Sequence, residues 1–515
     1  MRDASRRIVP ALLAGWAAAL LMLGPVGEPV ARAQDDSRES LRLGVWDLPP
    51  GRGNPFTGRS VPSTFVWDAI FDPLVRIGED GAPEPRLATA WELVDETRWR
   101  FTLRDGVVFS NGAPFDADTV VAVFDYLTSE DGRASSVGGE LANVVGAEKV
   151  DDRTVDIVTD GPDPVLPNKL ALVFIPEPGA WAELGPEGFA EAPAGTGAFE
   201  VVEWGPGDVT LAAVEESWRD PALDGLTIVE LPERPARLQA LLSGQIDVAF
   251  GLSPDNLPQL EAEGYAVAST PAPQVMSLAF ATEGRPDNPF GDLRVRQAVN
   301  YAVNRKAIAE VLLAGLGEAA SHGATAAAFG WHPDLEPYPY DPERARALLE
   351  EAGFADGFEA TAHVVVGSFP ADSEIYQQTA IDLAEVGIDL TLEQIRFPEW
   401  LQFFLANTWP GEAFGVSWNS SPYMDSIRPY TYMSCMKTTP HYCDEEVMPL
   451  IEATFQEFDS EARKELLWDL HEASHENPPA LYLVTQVDIT GLSPEVGTFV
   501  YRNRTVDYDA LSVAE

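Results

Sequence analysis

His471-Glu472-Ala473-Ser474-His475 spells H-E-x-x-H, a spacing that on a helix sets two imidazoles one turn apart for zinc and leaves the glutamate beside them as a general base. Glu495 follows at a separation that suits a third ligand. The flanks point the other way. Asp469 and Glu476 surround the pair with charge, Asn477-Pro478-Pro479 ends the helix directly after the second histidine, and Leu466, Leu470 and Ala473 supply an ordinary apolar face. The expectation is a solvated helix, with an exported zinc metallopeptidase using His471, Glu472 and His475 as the rival. The chain has no Gly-x-Ser-x-Gly, no P-loop and no Gly-rich dinucleotide turn, and with 82 acidic residues any two carboxylates chosen as acid and base would be arbitrary. Neither enzyme chemistry nor a metal or cofactor is expected. Cys435 and Cys443 are the only cysteines; a local disulfide is expected over a metal pair, since His441 is the sole further ligand nearby. Closing so short a loop stabilises by about 2–3 kcal/mol in the chain-entropy model.

The elements around these residues follow from local pattern. In Asn288 to Gly315, Pro289 and Gly291 break the preceding strand and Asp292 is placed to cap a long amphipathic helix. Val295, Val299 and Ala302 share one face of it, and Arg294 and Arg296 are expected off that face. Leu41 to Val45 reads as a first strand, Phe65 to Phe71 as a short helix, and Arg98 to Leu103 alternates with the period of a half-buried strand. Asp116 caps a helix through Val120 and Phe124. The strand Ile246 to Phe250 and the helix Leu257 to Glu263 form one α/β unit; Ser373 to Val386, Gly387 and Ile388 to Ile395 form another, as helix, glycine cap and strand.

At 515 residues, two or three domains are expected. The net charge of −48 repels phosphate backbones, which excludes nucleic acid as a partner and reads otherwise as a solubility device. Arg2, Arg6 and Arg7, the apolar run Val9 to Leu23 and Ala31-Arg32-Ala33 form an export signal over residues 1–33, cleaved after Ala33. Its removal takes away four arginines and two acids, leaving −50. No later segment has the roughly 18 apolar residues of a membrane span, so membrane insertion is not expected.

Several blocks carry a resemblance. They are Asn288 to Arg305 (NPFGDLRVRQAVNYAVNR), Asp72 to Leu74, Pro85 to Trp91, Trp99 to Phe115, Gly195 to Phe199, Ala236 to Ala249 and Tyr340 to Ala345. Their wording and order resemble the family 5 extracellular solute-binding proteins, receptors that feed peptide and nickel importers, from about Leu41 to Leu481. The resemblance implies an α/β, two-lobed periplasmic binding protein fold of the large type with an extra subdomain. The ligand cleft lies between lobes joined by hinge strands near Ser277 to Phe280 and Leu481 to Val487. It implies lobe I from 34–72, 199–276 and 485–515, the extra subdomain from 73–198, and lobe II from 277–484. The implied function is a monomeric periplasmic receptor that captures a peptide or related small solute by hinge closure and delivers it to the permease subunits of an ABC importer. A receptor of the same fold serving a membrane sensor is the alternative.

Family members face the ligand with a strand ending in Trp, here Phe414 to Trp418. Trp418, Asn419, Ser420 and Ser421 are therefore expected in the cleft, supported by Trp46, Asn54 and Trp400. Asp425 and Arg428 are expected to pair locally or to lend the cleft a charge. In the dipeptide-binding branch an Asp follows the Trp and an Arg stands on an earlier strand; here Ser421 and the run His363 to Gly367 provide neither. A free dipeptide would bury both charges unpaired at a cost of several kcal/mol, so it is not the expected ligand.

Overall fold

The structure, a computed structural model, describes residues 40–58 and 61–514; the export signal over 1–33 lies outside them. Two strands organise it. Ala266–Phe280 and Ala480–Leu492 run antiparallel along almost their full length, in the middle of a ten-stranded sheet. On one side Ala266–Phe280 pairs with Ala413–Asn419, which leads on to Phe358–Val364 and Ile388–Gln394. On the other, Ala480–Leu492 pairs with Val248–Ala249, then Ser40–Val45, Gly225–Glu230, Asp208–Ala213 and Phe199–Trp204.

The two halves bury separate cores. Leu41, Leu43, Phe65, Trp67 and Phe250 pack with Tyr501, Tyr508 and Leu511, so the end of the chain returns to the core that its beginning started. Val295, Val299, Leu348, Ile375 and Leu383 pack against Leu278, Leu481 and Leu483 in the other half. A third core fills a four-stranded sheet, Ala88–Asp95, Arg98–Leu103, Thr154–Thr159 and Val144–Asp151, and continues without a break to Trp418, Tyr430 and Leu467.

Between the halves the pairing of the crossing strands slips. Pro271 faces Val487 and Val275 faces Thr485, so three residues, Ala272 to Gln274, stand opposite Gln486 alone. Pro271 and Pro273 lack the N–H that a ladder needs, which explains the bulge at this place. The crossing strands contain the segments expected as hinges, and their irregular point falls a few residues before Ser277.

Local expectations translate closely at the caps. Asp292 accepts from the Arg294 N–H at 2.9 Å and Asp116 from Thr119 at 3.0 Å. Gly387, with φ 93°, takes the left-handed turn after the helix Asp372–Glu385. The long helix after Asp292 is instead two, Leu293–Ala302 and Arg305–Leu312, because Asn304 opens a new one by accepting from the Ala307 N–H. Arg296 is not off the buried face: it is 5% exposed. It donates to the carbonyls of Phe290 and Gly291 and to the Asn477 side chain, and lies over the Tyr442 ring. Its burial is tolerated because these carbonyl and amide oxygens replace water around the guanidinium.

Candidate functional site: the cleft beside the crossing strands

A cavity of about 620 Å³ with a mixed lining lies beside the crossing strands at Val487 to Ile489. From the half that holds the N-terminal strand it is lined by Trp46, Pro232 to Pro235, Arg237 and Gly251; from the other by Gly367 to Pro370. Each wall has a local cause. Trp46 follows the last residue of Ser40–Val45, and its ring meets Phe65 edge-on at 5.3 Å. The loop from Gly367 to Phe369 is drawn tight by the Asp372 carboxylate, which accepts from the backbone N–H groups of all three. Asp488 is clamped by Arg504 through two bonds of 2.8 and 3.0 Å.

Next to this wall the bulge gathers polar groups. Gln274 pairs across to Asn419, the Ser420 N–H donates to the Pro273 carbonyl at 3.1 Å, and Gln486 sits opposite the extra residues. The side-chain oxygens of Gln274, Gln486 and Ser420 are buried and have no hydrogen-bond partner among the described residues. An unpartnered buried oxygen is costly, so such a group of them marks a place built for a polar guest.

Of the seven residues expected in the cleft, Trp46 lines this cavity, Asn419 and Ser420 stand at the bulge beside it, and Trp418, Ser421, Asn54 and Trp400 are not among its lining residues. Trp418 is 0% exposed, between Tyr430 and Tyr482, with Gly323 so close that a Cβ there would overlap its ring. Asn419 caps the turn by accepting from the Ser421 N–H, and its carbonyl takes bonds from Arg428 and Tyr432. Ser420 stands at the bulge. Asn54 holds its own turn by accepting from the Phe56 N–H, and Trp400 donates to the Gly415 carbonyl while stacked between Phe397 and Phe404. Asp425 and Arg428 do not pair through their side chains. Asp425 is clamped by Arg463, and Arg428 reaches Glu140 at 3.1 Å between the rings of Tyr423 and Tyr432.

Sequence reasoning passed over Gln274, Gln486, Arg234 and Arg237. The signal for the first was present in Pro271-Ala272-Pro273-Gln274, two prolines inside a strand; the others have no local signature.

The H-E-x-x-H residues do not converge. His471 is enclosed, stacked on His322 at 4.2 Å with Nδ1 beside the Tyr430 hydroxyl; His475 meets the Ser321 carbonyl and the Tyr338 ring; the Glu472 side chain is 59% exposed and faces His332. Burial, and then the neighbouring histidines, hold the His471 pKa well below its ordinary value. Among the described residues no three His, Cys, Asp or Glu side chains are grouped so as to hold a metal ion. Cys435 and Cys443 are joined as a disulfide.

Comparison with known proteins agrees with this arrangement. The glutathione-binding protein GsiB of Salmonella paratyphi A is 29% identical over 380 residues, 72% of each chain. Heme-binding protein A of Haemophilus influenzae is 30% identical over 336 residues, 59% of this chain and 60% of that one. Among solved structures, HbpA2 from Haemophilus parasuis superposes with a TM-score of 0.80 at 21% identity, covering 92% of this chain and all of the other. CtaP, an ABC transporter substrate-binding protein from Listeria monocytogenes, gives 0.82 at 20% identity, over 92% and 99%. The fold is thus the two-lobed α/β fold of periplasmic binding proteins. Residues 82–440 match the middle region of the bacterial extracellular solute-binding proteins, family 5, and the chain belongs to that family of binding proteins, which are not enzymes.

Proposed function

We infer that the chain captures a peptide or related small solute in the cleft at Trp46, closes its two lobes over it, and presents the closed form to the permease of an ATP-driven importer. The observation that carries this reading is the cavity of about 620 Å³ lined from both halves beside the bulged crossing strands. A bulge is where a strand pair bends most easily, and a solute touching both walls favours the closed form by its extra contacts there. Relatives named for glutathione and for heme support a small solute rather than a macromolecule. The lobe bounds are those given by the order of blocks in the sequence, with lobe II at 277–484. Export with cleavage after Ala33 places the receptor in the periplasm, acting as a monomer.

A thermal-shift screen tests the reading, on protein stripped of bound solute by unfolding and refolding. Peptides of two to eight residues, glutathione, hemin, amino acids, sugars and nickel chelates form the panel. A solute at a hundred times its dissociation constant stabilises by about 2.7 kcal/mol, and one chemical class is expected to raise the midpoint. A flat response to the whole panel sinks the reading.

A further inference from the structure

Arg234 and Arg237 both line the cleft cavity, and both reach one oxygen: the Gly251 carbonyl accepts from Arg234 Nε and from Arg237 Nη2, each at 3.1 Å. Two like charges are therefore held side by side. Among the described residues neither is salt-bridged to a carboxylate. Arg237 is spent on structure. Its remaining bonds go to the carbonyls of Leu231, Pro232 and Phe250, and its guanidinium lies 5.9 Å from the centre of the Trp46 ring. Burial and the charge of Arg234 bring its pKa down to about 10.

Arg234 is different. Only its Nε is engaged, so the edge formed by its two terminal nitrogens has no partner among the described residues. That edge offers two parallel N–H donors, the geometry that a carboxylate accepts with both oxygens. Nor does the lining supply the missing acid. Asp488 is clamped by Arg504, and Glu233 bonds neither arginine, so three guanidiniums stand against two carboxylates. The excess is positive in a chain with 82 acidic and 34 basic residues. A cleft whose sign opposes that of its own surface draws anions into it.

We propose that the solute held in this cleft carries a carboxylate, received by the free edge of Arg234 beside the Trp46 ring. This rests on the solute-binding reading above and narrows it to a class of ligand. It also supplies from the opposite wall the cation that His363 to Gly367 lack. An ammonium finds no such partner, because Asp488 is already engaged.

Calorimetric titration of the stripped protein tests it, with a mixed set of free-acid tetrapeptides, the same set as C-terminal amides, glutathione, and glutathione diethyl ester. At least one free-acid ligand is expected to bind about tenfold or more tightly than its neutral counterpart, as befits a charge-assisted bidentate pair. Arg234→Gln brings that ratio to within about twofold while the protein stays folded, since the side chain makes only one hydrogen bond, to the Gly251 carbonyl, and Arg234→Lys retains part of it. Equal binding of acid and neutral forms, or a ratio that survives Arg234→Gln, overturns the proposal and leaves the solute receptor standing. Binding by none of the four overturns the peptide-type reading beneath it, and the proposal with it.

Discussion

Trp46 and Trp418 both end strands of the same sheet, yet they live in opposite surroundings. Around Trp418 the protein is sealed: Tyr430 and Tyr482 meet the ring edge-on, Gly323 leaves no room, and Tyr430 passes the contact on to His471 and thence His322. Around Trp46 it is open, with Phe65 on one edge and a cavity lined by under-compensated guanidiniums. The lesson is that an aromatic ring at a strand end serves packing or recognition according to what its neighbours have left unspent. The sharpest way to break the contrast is truncation. Trp418→Ala is expected to destabilise by about 3–5 kcal/mol, the usual range for a large buried ring. Trp46→Ala, which removes a ring only partly buried, should cost less, about 1–2 kcal/mol, while weakening the solute that the thermal-shift screen identifies. Urea unfolding and calorimetry of the two variants check this; similar stability losses in both would erase the distinction.

Beside the sealed region stands an ion pair. Glu140 ends the short helix Ser136–Glu140 beside the four-stranded sheet, and Arg428 follows the turn after Trp418. Arg428 also donates to the Asn419 carbonyl and is flanked by Tyr423 and Tyr432, which leaves Glu140 as its only carboxylate among the described residues. Removing that partner strands a largely buried cation. Glu140→Gln is expected to cost about 1–3 kcal/mol, partly as easier opening of the sealed side. Faster dissociation of bound solute in stopped-flow measurements, with the Trp46 wall untouched, would sharpen the comparison; unchanged stability and unchanged dissociation would show the pair to be incidental.

How far the sequence reaches is clear from the same residues. Caps at Asp116 and Asp292 were legible because a side-chain oxygen bonding two or three residues ahead is a local event. The family's blocks were legible as wording, and with them the two-lobed fold. What was not legible is long-range satisfaction. Arg296 looks like a surface residue by helical spacing, but oxygens from Phe290, Gly291 and Asn477 make a buried place for it. Asp425 and Arg428 look like a local pair, but Arg463 and Glu140 claim them from 38 and 288 positions away. The cleft suffers most from this, because Arg234, Gly251 and Gly367 to Pro370 are brought together only by the crossing strands.

The smallest effect separates the two regions by proton uptake. His322 and His471 are buried as neutral rings, with His332, His475, Tyr430, Ser474 and the exposed Glu472 the polar groups around them. Burial, and secondarily the charges of neighbouring histidines (His332 and His475 at His322, His322 and His332 at His471), brings the His322 pKa down to about 3 and pushes His471 well below its usual value. In the unfolded chain the same rings take up protons near pH 6.5. The unfolded state therefore binds more protons at any pH between these limits. The sign follows: this contribution to stability is fully present above about pH 6.5 and is lost as pH falls from there toward 3. Between pH 7 and 5.5 the His322 ring accounts for about 1 kcal/mol, in a window above the carboxylate range, and His471 adds in the same direction. His322→Gln should flatten the fall by about that amount, and His471→Gln should flatten it as well, in urea titrations at the two pH values. Arginine keeps its charge throughout, so solute affinity at Arg234 should stay level over the same window. A stability that does not move between pH 7 and 5.5, or that moves equally in the variants, would mean that the stacked pair admits protons and that the region around Trp418 is not sealed.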